Sequence, residues 1–186
     1  MALKGRYLLK TRDIVFLAIM AAAVTLVGFL TIPLVLAIPI PGVRSVPAAL
    51  FYGLLLALGA LKVRRIGSIL AIAALNGLVL LMMSWIMFLN NVIAALIVEL
   101  IVWLLFRGYQ KEGAILLGAG LYAPLTIPAN LLVAIFIGGE YLGQLLATPW
   151  LVALMLLAAG VLGFAGAFLG LRIGKELNKA GILKTA

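Results

Sequence analysis

Few residues in this chain could do chemistry, and they are thinly spread. Histidine and cysteine are both absent. Their absence removes imidazole and thiolate metal ligands, disulfides, and Ser-His or Cys-His nucleophile pairs. No GxxxxGK[ST], HExxH or GxSxG segment occurs, and no paired acids suit a metal. What remains is one carboxyl and a few amides set in apolar runs: Glu99 in NNVIAALIVELIVW, Asn76 in AIAALNGLVL and Asn130 in YAPLTIPAN. A carboxyl near a bilayer centre costs roughly 2.5–3.5 kcal/mol on insertion scales, so it faces a protein interior and marks a site. Such a set recognises a ligand by hydrogen bonding. It gives no sign of an enzyme, a cofactor or a resident metal.

The elements that must position these groups are apolar helices. Of 186 residues, 67% are hydrophobic and only 10% charged, against roughly 25% charged in a soluble domain. The expected fold is all-α: a polytopic membrane protein of one six-helix domain with both termini cytoplasmic. With about 17–25 residues per span, the breaks place helices at about 13–38, 46–61, 66–84, 90–106, 113–136 and 149–173. The basic start MALKGRYLLKTRD precedes a run long enough to span and lacks a cleavage signal. Thr11 with Asp13 reads as a helix cap with an acid in the first turn.

The net charge of +9 does not point to nucleic acid, because its placement follows the membrane. Counted over alternate breaks, 13 of the 14 Lys and Arg residues fall on one face, and only Arg44 falls on the other. That asymmetry assigns the basic face to the cytoplasm. It also favours contact with anionic membrane lipid.

Counted from the outer helix ends at 1.5 Å per residue, Glu99 and Asn76 lie roughly 12–14 Å deep and Asn130 roughly 9 Å. Three polar groups at similar depth suggest one outward-opening pocket. Above it come Trp85, Asn90, Asn91, Tyr122, Thr126, Glu140, Tyr141, Gln144 and Arg44. Aromatic rings with a few convergent polar groups suit a small-molecule site. The competing reading makes Trp85 and Tyr141 interfacial belt residues and the amides interhelical bonds.

Two further patterns concern packing. Helix 1 contains FLAIMAAAVTL, in which Ala18, Ala22 and Thr25 share a side, flanked by Ala21 and Gly28. Helix 6 carries Gly160, Gly163, Gly166, Gly170 and Gly174. Small residues let helix backbones approach closely in lipid. Pro124 and Pro128 should kink or open helix 5. Pro33, Pro39, Pro41 and Pro47 predict an ordered loop between helices 1 and 2. No phosphate loop, selectivity filter or obvious inverted repeat accompanies the pocket, so a site without a power source implies a partner.

The chain resembles the substrate-binding S components of energy-coupling factor (ECF) vitamin transporters. Ala18 and Ala22 match the AxxxA motif of that family's helix 1. PAALFYGLLLALGALKVRRIGSILAIAALNGLVLL and GFAGAFLGLRIGKELNKAGIL are similar to the Trep-Strep (MptS-like) type. A looser likeness, including an acid at the place of Glu99, runs to the thiamin-precursor type (YkoE-like). The resemblance implies a multi-pass protein of the prokaryotic cell membrane that captures a vitamin or related micronutrient from outside. It also implies docking through Ala18, Ala21, Ala22 and Thr25 on a T subunit, which two ATPases power. The thiamin-precursor type has an acid where Asn76 stands, so a cationic pyrimidine would find less charge here. The alternatives are a self-contained proton-coupled carrier using Glu99 as relay, and a membrane assembly protein that binds no solute.

Overall fold

The computed structural model describes residues 11–35, 43, 45–137 and 149–181. Six helices account for nearly all of them: α1 Thr11–Val35, α2 Ser45–Val63, α3 Ser68–Leu81, α4 Trp85–Phe106, α5 Glu112–Ile137 and α6 Pro149–Lys179. There is no strand among the described residues. Five helices are long and apolar enough to cross a membrane, and α3, at 14 residues, is shorter. The protein is an all-α polytopic membrane protein.

The boundaries move from the sequence expectation for local reasons. The amides Asn90 and Asn91, which read as a turn, lie inside α4. That helix begins five residues early because extended Ser84 accepts a bond from the Ile86 amide at 3.3 Å. An N-cap of this kind satisfies one of the donors that a helix start leaves open. α3 is trimmed at its start by Gly67, whose φ of 89° suits glycine best. Pro33 lies within α1 and Pro47 in the first turn of α2, so neither belongs to the expected loop; Pro39 and Pro41 lie outside the described residues. Helix α5 runs without interruption through Pro124 and Pro128.

α2 and α5 form the interior, with 61% of their span residues buried against 22% for α1 and 28% for α6. The core around them is rich in alanine: Ala57, Ala60, Ala73, Ala94, Ala95, Ala114 and Ala119 are all buried. α6 lies against α2 and α5, α4 against α3 and α5, and α1 against α2 and α3.

The glycines of α6 make the tightest seam. A Cβ at Gly166 would fall on the Leu50 carbonyl, and one at Gly170 would lie 2.5 Å from the Leu54 carbonyl. On the facing helix, a Cβ at Gly53 would strike the Gly163 carbonyl. Gly163 also meets α5, 2.7 Å from the Gly120 carbonyl by the same construction. That carbonyl is the one Pro124 leaves without a donor, since proline lacks an N–H. Backbone C–H groups of α6 therefore approach the carbonyls of two helices, a contact worth about 0.5–1 kcal/mol each. The periodic glycines of α6 serve internal packing.

The breaks 64–67 and 107–111 meet at one end of the bundle. Gln110 Nε2 donates to the Arg64 carbonyl at 3.1 Å, and Lys175 pairs with Glu112 at 2.8 Å. The Arg172 guanidinium stacks over Phe168, 4.7 Å from the ring centroid. The charge asymmetry read from the sequence thus corresponds to one physical end, at least for the described residues.

The glycine seam yields a paired test. Replacing Gly166 by Ala should destabilise by about 1–3 kcal/mol, since the obstacle is backbone that cannot rotate aside. Gly160→Ala, where an added Cβ meets nothing within 4 Å, should leave thermal unfolding in detergent nearly unchanged.

Candidate functional site

Among the described residues, the buried polar groups do not converge on one point as their sequence depth suggests. They divide into two sets at different levels.

The upper set is a belt hydrogen-bonded across four helices, with a ring from a fifth set against it. Asn91 of α4 is its hub. Its Oδ1 accepts from Tyr122 Oη of α5 at 2.6 Å and from Asn76 Nδ2 of α3 at 3.2 Å. Its Nδ2 donates to the Met87 carbonyl at 2.8 Å. Asn76 Oδ1 accepts in turn from Thr25 of α1 at 2.8 Å, whose one hydroxyl proton is shared with the Ala21 carbonyl at 2.9 Å. The α2 residue Tyr52 stands edge-on to Tyr122, with ring centroids 6.3 Å apart. Neutral groups from five helices therefore meet, and each amide orients the next. Asn90 is buried beside this hub in sequence, with its Oδ1 unpartnered. Thr126 bonds back to the Ala123 carbonyl at 2.6 Å. Asn130 is half-buried on α5 and engaged elsewhere.

The lower set centres on Glu99. Because α4 starts at Trp85, Glu99 lies about 21 Å along that helix, well below Asn76 and near the basic end. Its Oε1 accepts from the amides of Ile69 and Leu70 at 3.1 and 3.3 Å. These are the open donors at the start of α3, whose own capping residue, Gly67, has no side chain to offer. Glu99 therefore caps a neighbouring helix, placing a carboxyl at the positive end of its dipole. Tyr109, from the break between α4 and α5, folds back into the interior against Gly118. Its hydroxyl comes within electrostatic reach of Glu99, but Tyr109 Oη and Glu99 Oε2 complete no hydrogen bond of full geometry. Burial, then the Glu99 charge, pushes the Tyr109 phenol above its usual range. Ser68, fully buried at the same helix start, also has an unpartnered hydroxyl.

Trp85 is 55% exposed at the start of α4, outside the bonded set. Arg44, Glu140, Tyr141 and Gln144 lie outside the described residues. Tyr52, Ser68 and Tyr109 were not singled out from the sequence. Tyr109, in RGYQKEG, reads as a turn residue, and nothing local signals its return into the bundle.

The small face of helix 1 splits in two. Ala18 and Ala22 are exposed, together with Ile14, Val15, Ile19 and Leu26. Ala21, at 3% exposure, faces the bundle with Leu17 and Val24. Thr25 is spent on Asn76. The face expected to carry all four is thus reduced to Ala18 and Ala22, because Ala21 and Thr25 hold α1 to its own bundle.

No protein-family model, curated protein or solved structure matches this chain.

Two double-mutant cycles test the separation. Asn76→Ala and Asn91→Ala share a bond and should couple by roughly 0.5–3 kcal/mol, whereas Glu99→Leu and Asn91→Ala share no partner and should add within about 0.5 kcal/mol. Glu99→Leu alone should lower stability by about 1–2 kcal/mol as a lost cap. Glu99→Gln, which keeps an acceptor, should cost less. Unfolding in detergent reads all four.

Proposed function

We propose that this protein is the substrate-capture (S) subunit of an ECF-type importer for a vitamin or related micronutrient. It takes its ligand from outside and docks through α1 on a T subunit driven by partner ATPases. The observation that carries this reading is the exposed Ala18–Ala22 strip. It lies on a helix that packs against α2 and α3 and leaves its other side open. A lipid-facing helix has no need of small residues, but a helix that receives another backbone does. The sequence supports the dependence on a partner, since no nucleotide-binding loop is present.

The belt supports the binding half of the proposal. Asn76, Asn91, Tyr122 and Tyr52 join four helices, so a ligand that reorders them reaches α1 through Thr25 and Asn76. Every charged side chain among the described residues lies outside this belt, either around Glu99 or towards the basic end. A formal charge brought into the belt would find no counter-ion among the described residues, which is costly away from water. Amides and phenols suit an uncharged hydrogen-bonding heterocycle.

The self-contained carrier makes different use of Glu99. It needs a relay acid, and one oxygen of this acid is committed to the α3 amides. That reading requires uphill uptake by the chain alone in proteoliposomes.

The docking half is tested by Ala18→Trp and Ala22→Trp. Each should abolish recovery of the chain with its ATPase partners while ligand binding, read by thermal shift across a vitamin panel, stays unchanged. Uptake that survives both changes refutes it. Asn91→Ala should weaken the ligand by at least about tenfold, the loss of one hub hydrogen bond with its buried partners.

A further inference from the structure

The basic end of the bundle is not uniformly charged. On the α6 side the two described lysines are paired, Lys175 with Glu112 and Lys179 with Glu176, both at 2.8 Å, while Arg172 lies over the Phe168 ring. On the side of the two short turns, Arg64, Arg107 and Lys111 have no carboxylate at ion-pair distance among the described residues. The two turns are locked together by the Gln110–Arg64 bond and by Ile66 lying against Gly108.

The backbone at this place is unusual as well. Arg64 and Arg107 have φ of 49° and 58°, and are the only non-glycine residues in the left-handed region among those described. Glycine fills such helix-ending positions at least cost. Arginine stands at both positions, on adjoining turns, and Arg64 Nε donates back to the Leu61 carbonyl at 3.4 Å, which leaves its outer guanidinium nitrogens without a partner among the described residues.

The surface beneath them is apolar and open. Leu96, Leu100, Trp103 and Leu104 are exposed and follow one stripe of α4, which ends at Arg107. Trp103 sits one turn below the charge, the level where an indole marks the membrane interface.

We propose that the two adjoining turns hold the phosphate of an anionic phospholipid through Arg64, Arg107 and Lys111, with an acyl chain along the Leu100–Trp103–Leu104 stripe of α4. The recognised chemistry is a phosphate ester carrying net negative charge on an apolar tail. A general attraction of all basic residues to the membrane differs from this, because it assigns equal weight to the α6 lysines.

The test uses the full chain in nanodiscs, with Trp85 and Trp150 changed to Phe so that Trp103 is the sole indole. Phosphatidylglycerol with brominated acyl chains should quench Trp103 more strongly than brominated phosphatidylcholine at equal mole fraction. The preference should weaken as salt screens the headgroup. The triple variant Arg64→Gln, Arg107→Gln, Lys111→Gln should lower it on the order of tenfold. Lys175→Gln with Lys179→Gln should leave it intact. Equal quenching by the two lipids overturns the proposal, and so does equal loss in both variants, which would mean a diffuse field. Soluble glycerol phosphate that abolishes the preference at millimolar concentration would show that the acyl stripe plays no part. Where the triple variant does not fold, the lipid comparison and salt titration on the sole-indole chain decide alone.

Discussion

Lipid tails are as apolar as leucine, so helices inside a bilayer gain little by hiding leucine from them. Association must come from backbones close enough for dispersion and for C–H groups to meet carbonyls. Here that constraint is met by the seam in which Gly163, Gly166 and Gly170 of α6 bear on Gly120 of α5 and on Leu50 and Leu54 of α2. The carbonyl that Pro124 strips of its donor lies in the same seam. The proline of α5 and the glycine of α6 thus answer one another across a helix interface. Once α2, α5 and α6 are fixed in this way, the remaining helices have surfaces to sit on.

The other helices are tied in by polar groups, and each tie has a cost if broken. Glu99 closes the open start of α3, a helix too short to hold itself in place. Asn91 links α3 to α5, and Thr25 extends the chain to α1. α1 is attached by Leu17, Ala21 and Val24 and by the Thr25–Asn76 bond, while much of its surface faces outward. It is therefore the least embedded of the five spanning helices and is still hydrogen-bonded into the belt. In the proposed function, such a helix would carry ligand capture from the belt to a neighbour.

Charge and neutrality are separated along the bundle. The belt is made of amides and hydroxyls, while cations gather at the other end and are only partly balanced by acids. In the proposed function the first region meets the solute and the second meets headgroups. Neither needs catalytic groups, in keeping with the absence of histidine and cysteine.

Some of this was legible in the sequence because it depends on composition alone. Apolar runs of span length must be helical in a bilayer, since no water is there to satisfy the backbone. Lysine and arginine at alternate breaks must collect at one end. Asn76, Asn91 and Tyr122 could be singled out because polar groups amid such runs need partners. The sequence could not settle which groups would meet. A boundary error of five residues, caused by reading Asn90 and Asn91 as a turn instead of Ser84 as a cap, moved Glu99 by more than a helical turn. Only the tertiary structure separates it from the belt and sets it on the amides of Ile69 and Leu70. Only that structure parts Ala18 and Ala22 from Ala21 and Thr25, because a small residue suits an inner and an outer interface equally well. Which side it serves is fixed by where the neighbouring helices stand.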